Sequence, residues 1–176
     1  MTQLPQDIVT AETEVDDDFW IHAAQKAVRK YCGWHIAPNV PVTGTLNSKG
    51  GRVIHLPALH VTELTTLEVD GDDWLPFVRY GGDGLIESRD RPFPAGVAII
   101  SYRMVAGYGL EEIQDVASII IQSARRAAST PAGRTKSQSV NGASVSFDIT
   151  GGGAPAIDLL QEERRQLDAY KIGVMP

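Results

Sequence analysis

Hydrophobic and polar positions change rhythm four times along the chain. Residues 1–15 are polar, acidic and unpatterned, which predicts a flexible or partner-ordered arm. A helix is predicted over 16–33. Asp16, Asp17 and Asp18 open it, where carboxylates accept from unpaired N–H groups and complement the helix dipole. Trp20, Ala24, Ala27, Val28 and Tyr31 then recur at helical spacing. Gly33 suits the residue just past a helix end, and Pro38 blocks any continuation.

Over 40–105 the period shortens to that of strands. The expected strands are 42–46, 52–56, 63–69, 74–80, 85–88 and 97–105. Their expected turns are Asn47-Ser48-Lys49-Gly50-Gly51, Asp70-Gly71-Asp72 and Gly81-Gly82-Asp83-Gly84, all rich in residues that tolerate positive φ. Close spacing predicts an antiparallel meander. Thr65, Leu67 and Val69 alternate with Thr66, Glu68 and Asp70, so that strand is expected to have one wet face. Val97-Ala98-Ile99-Ile100 reads as buried on both sides. Trp74 and Phe77 share one predicted strand, with both rings expected in the core.

A second helix is predicted over 110–130. Ile113, Val116, Ala117, Ile120, Ile121 and Ala124 form its apolar stripe. Glu111 and Glu112 lie in its first turn, Arg125 and Arg126 in its last, and Pro131 closes it. Residues 131–176 read as a C-terminal arm. Thr135–Val140 and Ser144–Ile149 can pair across Asn141-Gly142, a strong hairpin turn, and Gly151-Gly152-Gly153 follows as a joint. A short helix over 156–172 is expected to carry Ile157, Leu160, Arg164, Leu167 and Lys171 along a narrow line, suited to docking on a neighbour.

The fold class that results is α+β: a small helical bundle with an inserted antiparallel β-meander module and an extended C-terminal arm. The domain plan is an arm (1–15), a core (16–130) and a second arm (131–176). At 176 residues such a chain can bury a core without staples. Its 43% hydrophobic and 22% charged residues are ordinary for a globular protein.

Charge alters the picture in one respect. The net charge of −6 argues against a duplex-coating protein, which needs a clustered cationic surface. The distribution is uneven, however. Asp7, Glu12, Glu14, Asp16, Asp17 and Asp18 stand near the start without a base, whereas Arg125, Arg126, Arg134 and Lys136 occupy 122–146 without an acid. That is either solvated surface or complementarity between subunits. No signal peptide is expected, and the longest apolar runs fall short of a membrane span.

Candidate chemistry is sparse. Cys32 is the single cysteine, which excludes an intrachain disulfide or a cysteine cluster. His55 and His60 are separated by Pro57, and His22 and His35 lack paired ligand spacing, so no metal site is expected. Gly44–Gly50 lacks the second glycine and the hydroxyl residue of a phosphate loop, and reads as a hairpin turn. Asp70-Gly71-Asp72-Asp73 lacks the calcium-loop pattern. No serine sits in a nucleophile elbow. No catalytic residue, cofactor or enzymatic activity is expected.

Several stretches, taken in order, resemble the head-tail connector, or adaptor, family of long-tailed bacteriophages and prophages. They are Val28–Pro38, Leu56-Pro57, Val61–Leu64, Val69–Gly71, Asp83–Ile86, Ser101–Tyr108, Gln138–Phe147, Leu159-Leu160 and Leu167–Tyr170. The likeness spans Asp16 to Gly173. The spacing at Met104-Val105-Ala106 and the triple glycine depart from the family pattern.

The resemblance implies a structural virion protein at the head-tail interface, assembled in the host cytoplasm. It implies a homo-oligomeric ring of about twelve copies with rotational symmetry. Its partners would be the portal protein above, neighbouring copies beside, and tail-side completion or stopper proteins below. Genomic DNA would pass through the channel without sequence-specific binding, and no membrane would be involved. The partner-binding residues expected from the arm are Arg125, Arg126, Arg134 and Lys136 as charges, with Phe147, Ile149, Leu160, Leu167 and Tyr170 as apolar anchors. Two other readings stand beside it: a different virion ring protein (tail-completion or terminator), and a small ligand-binding module or enzyme built on the β-region.

Overall fold

The computed structural model describes residues 14–129, 137–140, 143–146 and 157–173. It is α+β, with helices α1 (Asp17–Cys32), α2 (Gln114–Ala128) and α3 (Gln161–Leu167). The strands are β1 (Val40–Gly51), β2 (Val53–His55), β3 (Val61–Val69), β4 (Asp72–Asp73), β5 (Val78–Tyr80), β6 (Leu85–Ser88), β7 (Phe93–Ala106), β8 (Ser137–Val140) and β9 (Ala143–Ser146). All strand pairs are antiparallel. They form three sheets, ordered β1-β7-β3-β4, β2-β6-β5 and β8-β9.

The first helix starts and stops where its sequence signals stand. Asp16 Oδ1 accepts from the Phe19 N–H at 2.8 Å. Gly33, at φ 83°, turns left-handed and donates to the Arg29 carbonyl. Ala24, Val28 and Cys32 form the buried line and pack on α2. There the inward positions are Val116, Ile119, Ser123, Ala124 and Ala127. The buried face of α2 therefore includes Ile119, outside the expected stripe, while Ile121 is 44% exposed. Residues 110–113 form a 3-10 turn ahead of the α-helix rather than its first turn.

Helices, both larger sheets and the C-terminal segment share one contiguous core. Phe93, Leu67, Ile86, Ile100, Met104, Leu167, Val28 and Cys32 are all but fully enclosed in it. Trp74 stacks on Phe93 at 5.1 Å between ring centroids, with the Arg91 guanidinium 4.4 Å above the indole.

The β-module departs from its expected layout at four places. The stretch Asn47–Gly51 is not a turn: β1 runs through it and stays paired with β7 from Val40↔Ala106 to Gly51↔Phe93. Val97-Ala98-Ile99-Ile100 is not buried on both sides. Leu46 pairs with Ile100 and Ser48 with Gly96, so three residues of β7 oppose Asn47 alone. This bulge throws Val97 out to 82% exposure and puts Ala98 at φ 54°. Asn47 Oδ1 satisfies the Ala98 N–H at 2.8 Å.

The alternation expected of β3 holds from Thr66 to Asp70, with Leu67 and Val69 buried and Thr66, Glu68 and Asp70 on the wet face, and fails only at Thr65, which is exposed, for a related reason. Thr62 and Thr65 are each extra residues against β7, which lets Leu64 and Leu67, three apart, face Met104 and Tyr102 on the same side. Lastly, 74–80 is not one strand. Pro76 lies in a 3-10 turn (Leu75–Phe77), so Trp74 is buried and Phe77 is 45% exposed.

The other expected turns form as read. Asp70 (φ 52°) and Gly71 (φ 88°) make the two-residue connection from β3 to β4. The hairpins β3–β4 and β5–β6 are sequential, whereas β7 returns to the centre between β1 and β3.

Where β7 leaves the sheet, Gly107 is clamped from both sides. Its N–H donates to the His60 carbonyl at 2.9 Å, and His60 Nδ1 lies 2.8 Å from the Gly107 carbonyl. His35 Nε2 lies 2.9 Å from the Ala106 carbonyl and 3.1 Å from that of Pro38. At φ 118°, any Cβ on Gly107 would collide with the Pro38 carbonyl oxygen and the His35 ring. Gly107→Ala should therefore lower the unfolding free energy by about 3 kcal/mol, measured by urea denaturation. A loss within about 0.5 kcal/mol, typical of surface changes, would contradict this account of the clamp.

Candidate functional site

The arm after α2 does not behave as one unit. Its last described stretch, 157–173, folds back as a strap across α1 and α2. Leu159 and Leu167 are its buried apolar residues, and Leu167 is completely enclosed. The inward line is thus Leu159, Glu163 and Leu167; of the expected line, Leu167 is buried as expected, Ile157 is half-buried, and Leu160, Arg164 and Lys171 are exposed. The α-helix is also shorter than expected, with a 3-10 turn (Asp168–Tyr170) at its end.

Polar contacts pin the strap along its length. Trp34 Nε1 donates to the Tyr170 carbonyl at 2.7 Å, and the Ile172 N–H donates to the Cys32 carbonyl at 2.9 Å. The Tyr31 hydroxyl donates to Asp168 at 2.6 Å, and the Tyr170 hydroxyl to Asp115 at 3.0 Å. Burial, reinforced by Asp115, pushes the Tyr170 phenol up to about 12. The thiol of Cys32 lies beneath the Leu167 carbonyl, and burial raises its pKa to about 11.

The strongest fastening is ionic. Both guanidinium nitrogens of Arg126 grip Glu163, at 2.8 and 2.9 Å, and the same carboxylate accepts from the Leu160 N–H at 2.8 Å and the Ser123 hydroxyl at 3.4 Å. Glu163 is 91% buried by its 9% side-chain exposure, so it needs all of these donors. Burial alone would raise its pKa. The Arg126 hydrogen bonds and charge, the Leu160 N–H and Ser123 outweigh that and hold it below the ordinary carboxylate value.

The residues expected to bind partners accordingly separate. Arg126, Leu167 and Tyr170 work inside the subunit, holding the strap. Arg125 is exposed on α2, and Leu160 is 53% exposed at the start of α3. Arg134, Lys136, Phe147 and Ile149 lie outside the described residues, as do the N-terminal arm through residue 13 and the triple-glycine joint. Sequence reasoning missed Glu163. Glu163 reaches back from the third helical position to the Leu160 N–H, which is half of a capping box; a leucine at the cap offers no side-chain acceptor for the other half, so the sequence signal was incomplete.

The other distinctive surface is the free side of the larger sheet. The rows Thr43–Arg103–Thr66 and Thr45–Ser101–Glu68 run across β1, β7 and β3 on its wet face. With Gly44 and Tyr102 they line a shallow open cleft of about 450 Å³. On the opposite face Val42 and Leu46 of β1 are only partly covered, while Tyr102, Met104, Leu64 and Leu67 of the inner strands are buried. Among the described residues β1 is the terminal strand of this sheet.

Among the described residues no group of three or more His, Cys, Asp or Glu is gathered as metal ligands, and no helix is long and apolar enough to cross a membrane. His35 and His60 are engaged by backbone carbonyls at the Gly107 clamp.

Two substitutions separate strap residues from free ones. Leu167→Ala should cost about 2–5 kcal/mol, whereas Leu160→Ala should stay within about 0.5 kcal/mol, both by chemical denaturation. Acid titration tests the ion pair. Because Glu163 has a lowered pKa in the folded state, its contribution is full above the ordinary carboxylate value of 4.5 and is lost as pH falls through the folded value. Glu163→Gln should therefore lower stability at neutral pH by about 1–3 kcal/mol and flatten the acid limb of the stability curve. An unchanged acid limb in that variant would contradict the assignment.

Compared with known proteins, the chain matches no family model and no curated sequence, so its own residues carry the functional reading.

Proposed function

We propose that the chain is a non-enzymatic head-to-tail adaptor of a long-tailed phage or prophage. In this reading it forms a ring beneath the portal protein and links the DNA-filled capsid to the tail. The observation that carries it is the order of elements. The stretches that resemble the adaptor family lie, in sequence, in a first helix, in an antiparallel β-module and in a C-terminal segment with a hairpin, on either side of a second helix that packs back on the first.

The physical work is binding. Each copy presents unlike faces, and heterologous contacts between such faces close into a ring when the rotation per copy permits. Weak contacts repeated around a ring give strong avidity. Since Arg126, Leu167 and Tyr170 hold the strap, the exposed Arg125, Ile121 and Leu160 and the segment containing β8 and β9 are the better candidates for contacts with the portal or a neighbour. A net charge of −6 suits a channel through which duplex DNA slides without adhering.

Cutting the chain at Ala132 is a poor test, because it removes Leu159, Glu163 and Leu167 along with the arm and strips the core. Disrupting the gene is cleaner. DNA-filled heads and separate tails should accumulate, and electron microscopy of intact particles should place the protein as a ring next to the portal. Infectious particles formed without it, or purified virions lacking it, would overturn the proposal. A position at the tail tip or inside the tail would favour a different virion ring protein.

A further inference from the structure

The strap 157–173 is held by few contacts for its length. Leu159, Glu163 and Leu167 are its only buried residues. It adds no strand to either larger sheet, and its α-helix of seven residues is too short to be stable by itself. Among the described residues, a single backbone–backbone hydrogen bond ties it to the rest of the chain, from the Ile172 N–H to the Cys32 carbonyl.

The other polar fastenings rest on side chains. Arg126 donates to the Asp158 carbonyl at 3.3 Å as well as to Glu163. Tyr31 holds Asp168 through its hydroxyl and the Lys171 ammonium 4.6 Å from its ring centroid. Trp34 and Asp115 hold Tyr170. All of these can part without breaking a strand ladder. The pairings of β1 and β3 with β7 contain no strap residue, and α1 packs on α2 directly.

Parting also strands no charge. A buried ion pair is costly to break when one partner is removed and the other stays buried. Here Glu163 leaves for water with the strap, and the Arg126 side chain is already 38% exposed. The freed residues regain conformational entropy. Against this stands the burial of Leu159 and Leu167, which keeps the closed form dominant.

We infer that the strap is a latch that opens as one unit while the helices and sheets stay folded, with Arg126 and Glu163 as its catch. The chain then has two folded forms. In the closed form Leu159 and Leu167 cover Val28 and Cys32. In the open form the trough between α1 and α2 is bared. Local opening of this kind draws on segments with few buried contacts and side-chain fastenings. The inference is independent of the ring reading, since it concerns a single copy.

Hydrogen exchange of the full-length chain, followed residue by residue by NMR in rising sub-denaturing urea, tests it. The amides of Arg164, Lys171 and Ile172 should share one level of protection. That level should be at least tenfold below that of β7 and depend less steeply on urea. Ile100→Val, a change inside the sheets, should lower protection in β7 severalfold and leave the strap amides unchanged, because the open form keeps the sheets. Glu163→Gln should lower protection of all strap amides by a common factor, Ile172 included.

Two results would overturn the inference. Strap amides that match β7 in protection and urea dependence, and fall with it in Ile100→Val, would mean that the strap leaves only when the whole chain unfolds. A response to Glu163→Gln confined to Leu160 and Arg164 would mean that the strap frays piecemeal and has no catch.

Discussion

The fold depends on a short segment far along the chain closing a gap between two helices. Small residues, Ala24 on α1 and Ala124 and Ala127 on α2, let these helices approach closely. Their contact still leaves Val28 and Cys32 in need of cover on one side. Leu159 and Leu167 provide it, and Glu163 is drawn into the low-dielectric space beside them, where only a bidentate arginine and extra donors make a carboxylate tolerable. Arg126, Leu167 and Tyr170, expected as anchors for another molecule, are therefore anchors for this one. The line between core and arm falls within the last third of the chain, and the core includes both sides of it.

What the sequence made legible follows from how local each signal was. Asp16 and Gly33 bracket α1 because capping is decided within a few residues. The Asp70-Gly71 connection, the Gly84 turn at φ 79° and the pairing of β8 with β9 were equally local. The failures within β1, β3 and β7 share one cause, which is information held by the partner strand. Leu64 and Leu67 can share a face only because Thr62 and Thr65 bulge against β7, and no pattern of period two shows that. Likewise Val97 has the composition of a buried strand, yet three residues facing Asn47 alone push it outward. Gly50 and Gly51 signalled a turn, but the long reach of β7 keeps them in a strand.

The candidate site was legible in its general location and not in its details. Sequence placed binding capacity after α2, and the exposed Arg125 and Leu160 lie there. Spacing could not tell that Leu159, not Leu160, faces inward, since adjacent leucines leave the choice to tertiary packing. The outermost place of β1 among the described strands was hidden altogether. It exists because β7, the last strand of the module, inserts beside β1 and leaves the first strand outermost.

Cys32 lies directly beneath the strap, its sulfur 3.8 Å from the Leu167 carbonyl. With its acidity suppressed by that cover, the thiol is almost silent toward electrophiles at neutral pH. It becomes both accessible and ionisable when residues 157–173 lift away. The molecule thus carries a native gauge of that departure: the rate at which an alkylating reagent modifies this one sulfur reports how often the terminal segment opens, with no foreign label introduced.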